Sequence, residues 1–143
     1  MSLIRVVRRQ SGVVMVAALF VLALLLPGRG DELADFHAAV ERASAQYRIA
    51  VTTLETRGQE ETAAAVHRFR EAWQEIIERS NQNRSAALAD DQQNGDIFMV
   101  VDMRLVGVLL VIDMGNRNAA REGLAPIEET LSRLSARSAP TAR

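Results

Sequence analysis

The chain has 143 residues, 17 basic and 18 acidic side chains, a net charge of −1 and no cysteine. The missing thiols exclude disulfides, thiolate metal sites, iron–sulfur clusters and haem attachment through a Cys-x-x-Cys-His motif. Alanine is abundant, aromatic residues make up 4% and there are three prolines, a balance that favours helix over sheet.

Arg5, Arg8 and Arg9 give a basic start, with no acidic residue before Asp31. The uncharged apolar run from Gly12 to Leu26 has the length of a secretory leader and is short for a membrane span. Pro27 breaks it, and Gly28-Arg29-Gly30 offers the small-x-small pattern that a signal peptidase accepts. Residues 1–30 are therefore expected to be a signal peptide cut before Asp31, and an uncleaved leader would be the chain's one attachment to a membrane. In either case the remainder is translocated. It is periplasmic in a cell with an outer membrane and secreted or surface-held otherwise. Four arginines leave with the leader, so the exported part carries a net charge of about −5. Such a domain, without a basic stripe, is a poor partner for nucleic acid or anionic lipid.

The first helix is expected from about Glu32 to Thr56, with Leu33, Phe36, Val40, Ala43, Tyr47, Val51 and Leu54 at alternating steps of three and four. Gly58 suits a left-handed C-cap. A second helix follows from about Glu60 to Asn81, with acids in its first turn and a stripe of Ala63, Val66, Phe69, Trp73, Ile76 and Ser80. A turn at Gly58 makes facing residue numbers sum to about 116, which sets Phe69 near Tyr47 and Trp73 near Ala43. Gln82 to Gly95 is a polar connection with room for one helical turn at Ala86 to Asp90.

The third helix is expected from about Asp96 to Met114. The fourth is capped by Asn118 and runs to about Ala136, with Pro126 inside it as a kink or a shifted start. Facing numbers summing to about 232 pair Phe98 with Leu134, Val101 with Leu131, Leu105 with Ile127 and Val108 with Leu124. The fold class is thus all-α: an antiparallel up-down-up-down four-helix bundle of two αα-hairpins over residues 31–137, behind a signal peptide. Residues 138–143 are expected to be a disordered tail.

The third helix differs from the others in having two apolar stripes. Phe98, Val101, Leu105, Val108 and Ile112 form one. Met99, Met103, Val106, Leu110 and Met114 form another beside it. A single bundle seam does not need so wide an arc. Three arrangements account for it: deep burial, a homodimer seam aided by Gly107, or a slot for a flat apolar ligand. Asp102 and Arg104 argue against a membrane span. Arg104 is expected to pair with Glu128 and Asp113 with Arg117. Asp102 has no obvious basic partner and is the candidate buried polar residue.

Conventional chemistry finds little purchase. His37 and His67 fall about 12 residues apart along the expected hairpin, roughly 18 Å, too far to share one ion. They read as solvated histidines. The di-metal Glu-x-x-His pattern fails because positions 34 and 64 are alanines. Met99 and Met103, with either His37 or His67, are the residues that a soft metal or a non-covalent haem would have to use. There is no nucleophile elbow or phosphate loop. The expected architecture resembles exported bundles such as cytochrome c-prime, but the chain carries the motif of none of them. The expectation is a non-catalytic binding or accessory protein of the cell envelope with no cofactor. It would use the third helix's face for a homodimer or an envelope protein partner. The alternative is a periplasmic metal or haem carrier.

Overall fold

The computed structural model describes residues 29–82 and 92–140. It is all-helical and consistent with a four-helix bundle: α1 (Arg29–Thr56), α2 (Gln59–Gln82), α3 (Gln92–Asp113) and α4 (Arg117–Ser138), with no strand among the described residues. The expected leader up to residue 28 and the helical turn at 86–90 lie outside the described residues. The chain divides into two compact units, Met1–Asp31 and Glu32–Arg143, and the packing described here is that of the second.

One apolar stripe from each helix builds the core. α1 buries Phe36, Val40, Ala43, Tyr47 and Leu54, with Ala39 and Ala50 filling the gaps between them. α2 contributes Ala65, Val66, Phe69, Trp73 and Ile76, and α3 contributes Phe98, Val101, Leu105, Val108 and Ile112. α4 adds Ala120, Leu124, Ile127, Leu131 and Leu134. Small residues recur between large ones, so the stripes can interdigitate without voids.

Specific contacts fix which residues face each other. Tyr47 meets Phe69 edge-on with ring centroids 5.6 Å apart, as expected from a turn at Gly58. Arg42 pairs with Glu75 on the same two helices, and Asp35 lies 3.7 Å from Arg79. The side chain of Trp73 is fully buried, donates its indole N–H to the Phe98 carbonyl at 3.2 Å and packs edge-on against the Phe98 ring. The Tyr47 hydroxyl donates to the Leu124 carbonyl, and the Ser135 hydroxyl donates to Glu41. Contacts of this kind join α1 to α2, α2 to α3 and α1 to α4. Between α3 and α4, Gly123 lies against Val108.

Helix ends depart from the expected pattern in instructive ways. Gly58 is not left-handed; its carbonyl accepts from the Thr62 backbone and hydroxyl, so it starts α2 instead of closing α1. The end of α1 is closed from outside the hairpin. Arg117 donates to the Leu54 and Arg57 carbonyls, setting a guanidinium at the negative end of the helix dipole. The expected Asp113–Arg117 pair therefore does not form. Gly115 supplies the left-handed residue at the end of α3, with φ of +74°. The Gly115 and Asn116 amides bond back to the Ile112 and Val111 carbonyls, the two bonds of a Schellman motif. Asn116, not Asn118, caps α4 by accepting from the Ala119 amide at 3.1 Å.

Other boundaries also move. α1 starts at Arg29, ahead of Glu32, and α3 starts at Gln92, so Asn94 and Gly95 are helical. α4 runs through the exposed Pro126, whose missing N–H leaves one intrahelical bond unmade. It ends at Ser138, which is buried and not the start of a loose tail.

At Gly123 α4 lies close against α3, since a Cβ there would sit 2.6 Å from Val108 Cγ2. Val108 is buried and β-branched, so its side chain has no easy way to move aside. Gly123→Ala should gain about 1 kcal/mol in helix propensity and lose more through overpacking. A net destabilisation of about 1 kcal/mol is expected in urea titrations followed by circular dichroism. An unchanged or raised midpoint would show that the two helices can separate without cost.

Candidate interaction surface on α3

The two apolar stripes of α3 do not lie side by side. At 3.6 residues per turn, the mean directions of the Phe98–Ile112 and Met99–Met114 stripes differ by about 160°, which puts them on nearly opposite faces. The first is buried in the core. The second is open: Met99 is 59% exposed, Met103 68%, Val106 49%, Leu110 61% and Met114 72%. Val100 extends this row and Gly107 lies within it, also exposed. Ile49 on α1 is the other large apolar residue exposed among the described residues. Deep burial against neighbouring helices therefore does not explain the second stripe.

The row continues into a shallow groove between α3 and α4, lined by Val100, Met103, Gly107, Val111, Ala119 and Gly123, with the charged Arg104 also in its wall. Small residues on both helices create it. A Cβ on Gly107 would meet nothing within 4 Å, so within one chain this glycine serves no close approach. That role belongs to Gly123, which the sequence reading did not single out. Its only signal was a glycine one residue before the stripe position Leu124.

On the side toward α2 the row is bounded by Asp102. Arg70 Nε donates to Oδ1 at 2.9 Å and Nη2 to Oδ2 at 3.2 Å, while Gln74 adds a bond at 2.8 Å. Asp102 thus has a basic partner, contrary to expectation, and its side chain is half-buried at 26% exposure. The hydrogen bond from Arg70 holds the carboxyl below its ordinary value of 3.8; burial opposes this, and the Arg70 charge and Gln74 support it. A carboxylate so engaged is an anchor and not a poised acid or base. On the other side, Arg104 is exposed, and its expected pair with Glu128 is not among the ion pairs of the described residues. Burial raises the Tyr47 phenol above its ordinary value, and the charge of Glu128 adds to this.

The candidate metal and haem ligands are dispersed. His37 is half-buried rather than solvated, with Nδ1 2.9 Å from the Ser138 hydroxyl. That hydroxyl also lies 2.8 Å from the Leu134 carbonyl, to which it donates, so Nδ1 is left as the donor. His67 is exposed and lines a groove with Leu109 and Asp113, about 15 Å along α3 from Met99. Among the described residues no cluster of three or more His, Asp or Glu side chains is placed to hold a metal ion.

No known family, curated protein or solved structure matches this chain. Its functional reading therefore rests on its own residues. No helix among the described residues is long and apolar enough to cross a membrane, α3 included.

The Asp102 anchor has a defined pH signature. A carboxyl whose folded value is depressed contributes stability that is complete above its unfolded value and is lost as pH falls through the folded one. Asp102→Asn should therefore cost about 1 kcal/mol at pH 7, the scale for a partly solvated pair. The difference from wild type should disappear in acid below the ordinary carboxylate range. Urea midpoints of both proteins across pH would check this, and a pH-independent difference would contradict it.

Proposed function

We propose that this chain is a non-catalytic binding or accessory protein of the cell envelope, exported by residues 1–30, that acts through the exposed apolar row of α3. The observation that carries the reading is the row itself: five large apolar residues exposed on one helix, with Met114 in the turn just beyond it, while the helix's other face already fills the core. A fold does not require them, and a contiguous apolar patch on an exported domain is the usual mark of an association surface. Export is supported by the basic start and uncharged core of the leader.

The proposal includes an antiparallel up-down-up-down topology. In its support, numbers rise on one helix as they fall on its neighbour: Arg42 with Glu75 and Asp35 with Arg79, His37 with Ser138 and Tyr47 with Leu124. A non-catalytic role is supported by how the perturbed groups are used. The Tyr47 hydroxyl and the Arg70–Asp102 pair are each engaged in contacts between helices.

The double variant Met103→Glu with Leu110→Glu tests the reading. Both side chains are exposed, so the charges should leave helix content and thermal midpoint nearly unchanged. In native gels of envelope extracts the wild type should run larger than a single exported chain and the variant at monomer size. A wild type that runs as a monomer, or a variant that stays in the complex, would overturn the proposal.

A further inference from the structure

We infer that the occupant of the α3 row is a second copy of this chain, docked antiparallel about a two-fold axis that passes between Val106 and Gly107. This rests on the reading of α3 as an association surface and says what associates with it.

Five residues of the row, with Gly107, form a palindrome of chemistry; Val100, whose mirror position is Asp113, stands at the edge outside it. About a centre between Val106 and Gly107, Met99 is as far on one side as Met114 is on the other, and Met103 mirrors Leu110. A two-fold axis perpendicular to α3 at that point makes the patch self-complementary, as an isologous interface must be. Met99 of one copy meets Met114 of the other, Met103 meets Leu110, and Val106 meets the bare backbone of Gly107. Gly107 is free for this because nothing in its own chain lies within 4 Å of the Cβ it lacks. The Val side chain has somewhere to go only in that register.

Charge favours the same orientation. The two ionised residues between Met99 and Leu110 stand at the row's flanks: Asp102 is turned to Arg70 on the α2 side, and Arg104 lies at the edge toward α4. Parallel helices in register would set Asp96 beside Asp96 and Asp113 beside Asp113. The antiparallel arrangement separates both pairs of like charges. It also opposes the two helix dipoles. The exposed row offers on the order of 600 Å² per copy, so two copies would bury about 1,200 Å², the lower end of standard interfaces.

The absence of native cysteine makes the geometry directly readable. In the full-length protein as exported, Val106→Cys should oxidise to a covalent dimer. A mixture of Met99→Cys and Met114→Cys proteins should cross-link to each other, and neither should cross-link to itself. In the antiparallel dimer, two copies of position 99 lie about 22 Å apart along the axis, far beyond disulfide reach. Gly107→Arg, at a position open in the single chain, should keep the circular dichroism spectrum and change sedimentation from dimer to monomer. Self-linking at position 99 would overturn the antiparallel geometry, and a dimer that persists with Gly107→Arg would overturn the seam. If the wild type sediments as a monomer while the envelope complex persists without a second copy in it, the inference fails and the proposed function stands. If no complex of any kind is found, both fail.

Discussion

The joint between Trp73 and Phe98 decides the geometry of the molecule. The indole N–H on the Phe98 carbonyl and the edge-on ring contact fix the height of α3 against α2. One helical turn further along α3, Asp102 takes Arg70 and Gln74 and fixes its rotation. A large apolar contact and a charge-assisted fork thus hold the same pair of helices at two points. With α3 held in that rotation, Phe98 through Ile112 point inward and Met99 through Met114 have no other face than the outer one.

The helix ends are closed by cooperation between helices distant in the chain. Arg117, at the start of α4, satisfies carbonyls at the end of α1, and Gln59, at the start of α2, donates to the Asp113 carbonyl at the end of α3. At the other end of the structure, His37 and Glu41 of α1 bond to Ser138 and Ser135 of α4. The terminal carbonyls of α1 and α3, which an isolated helix would leave to water, are thereby tied to other helices.

The exposed row of α3 is the one large feature that this packing does not account for. Replacing Met103 or Leu110 by a polar residue would remove nothing from the core, because both side chains are more than half exposed. An apolar surface that the fold does not use exposes a protein to nonspecific association unless something covers it. The mirror-like order of five of its residues about Val106 and Gly107 is the ground on which a second copy is proposed to cover it.

Much of this was legible in the sequence. Helix number and type followed from apolar residues at steps of three and four, because only a helix collects such residues on one face. Tyr47 against Phe69 followed from the short turn at Gly58, and Gly123 beside Val108 agrees with the sum expected about Asn116, since a short loop leaves little freedom of register. The exposed residues Met99, Met103, Val106, Leu110 and Met114 were identifiable as a second stripe. What periodicity could not tell was how α3 rotates against α2 across a long polar connection, and so whether that stripe lay inside or outside. Asp102 looked unpartnered and Arg117 looked like a partner for Asp113 for the same reason. Their true contacts lie 32 residues away in Arg70 and 63 residues away in Leu54, and only the assembled structure brings them together. Local spacing determines which face of a helix is apolar. Which apolar face is buried depends on long-range contacts, such as the one Trp73 makes with Phe98.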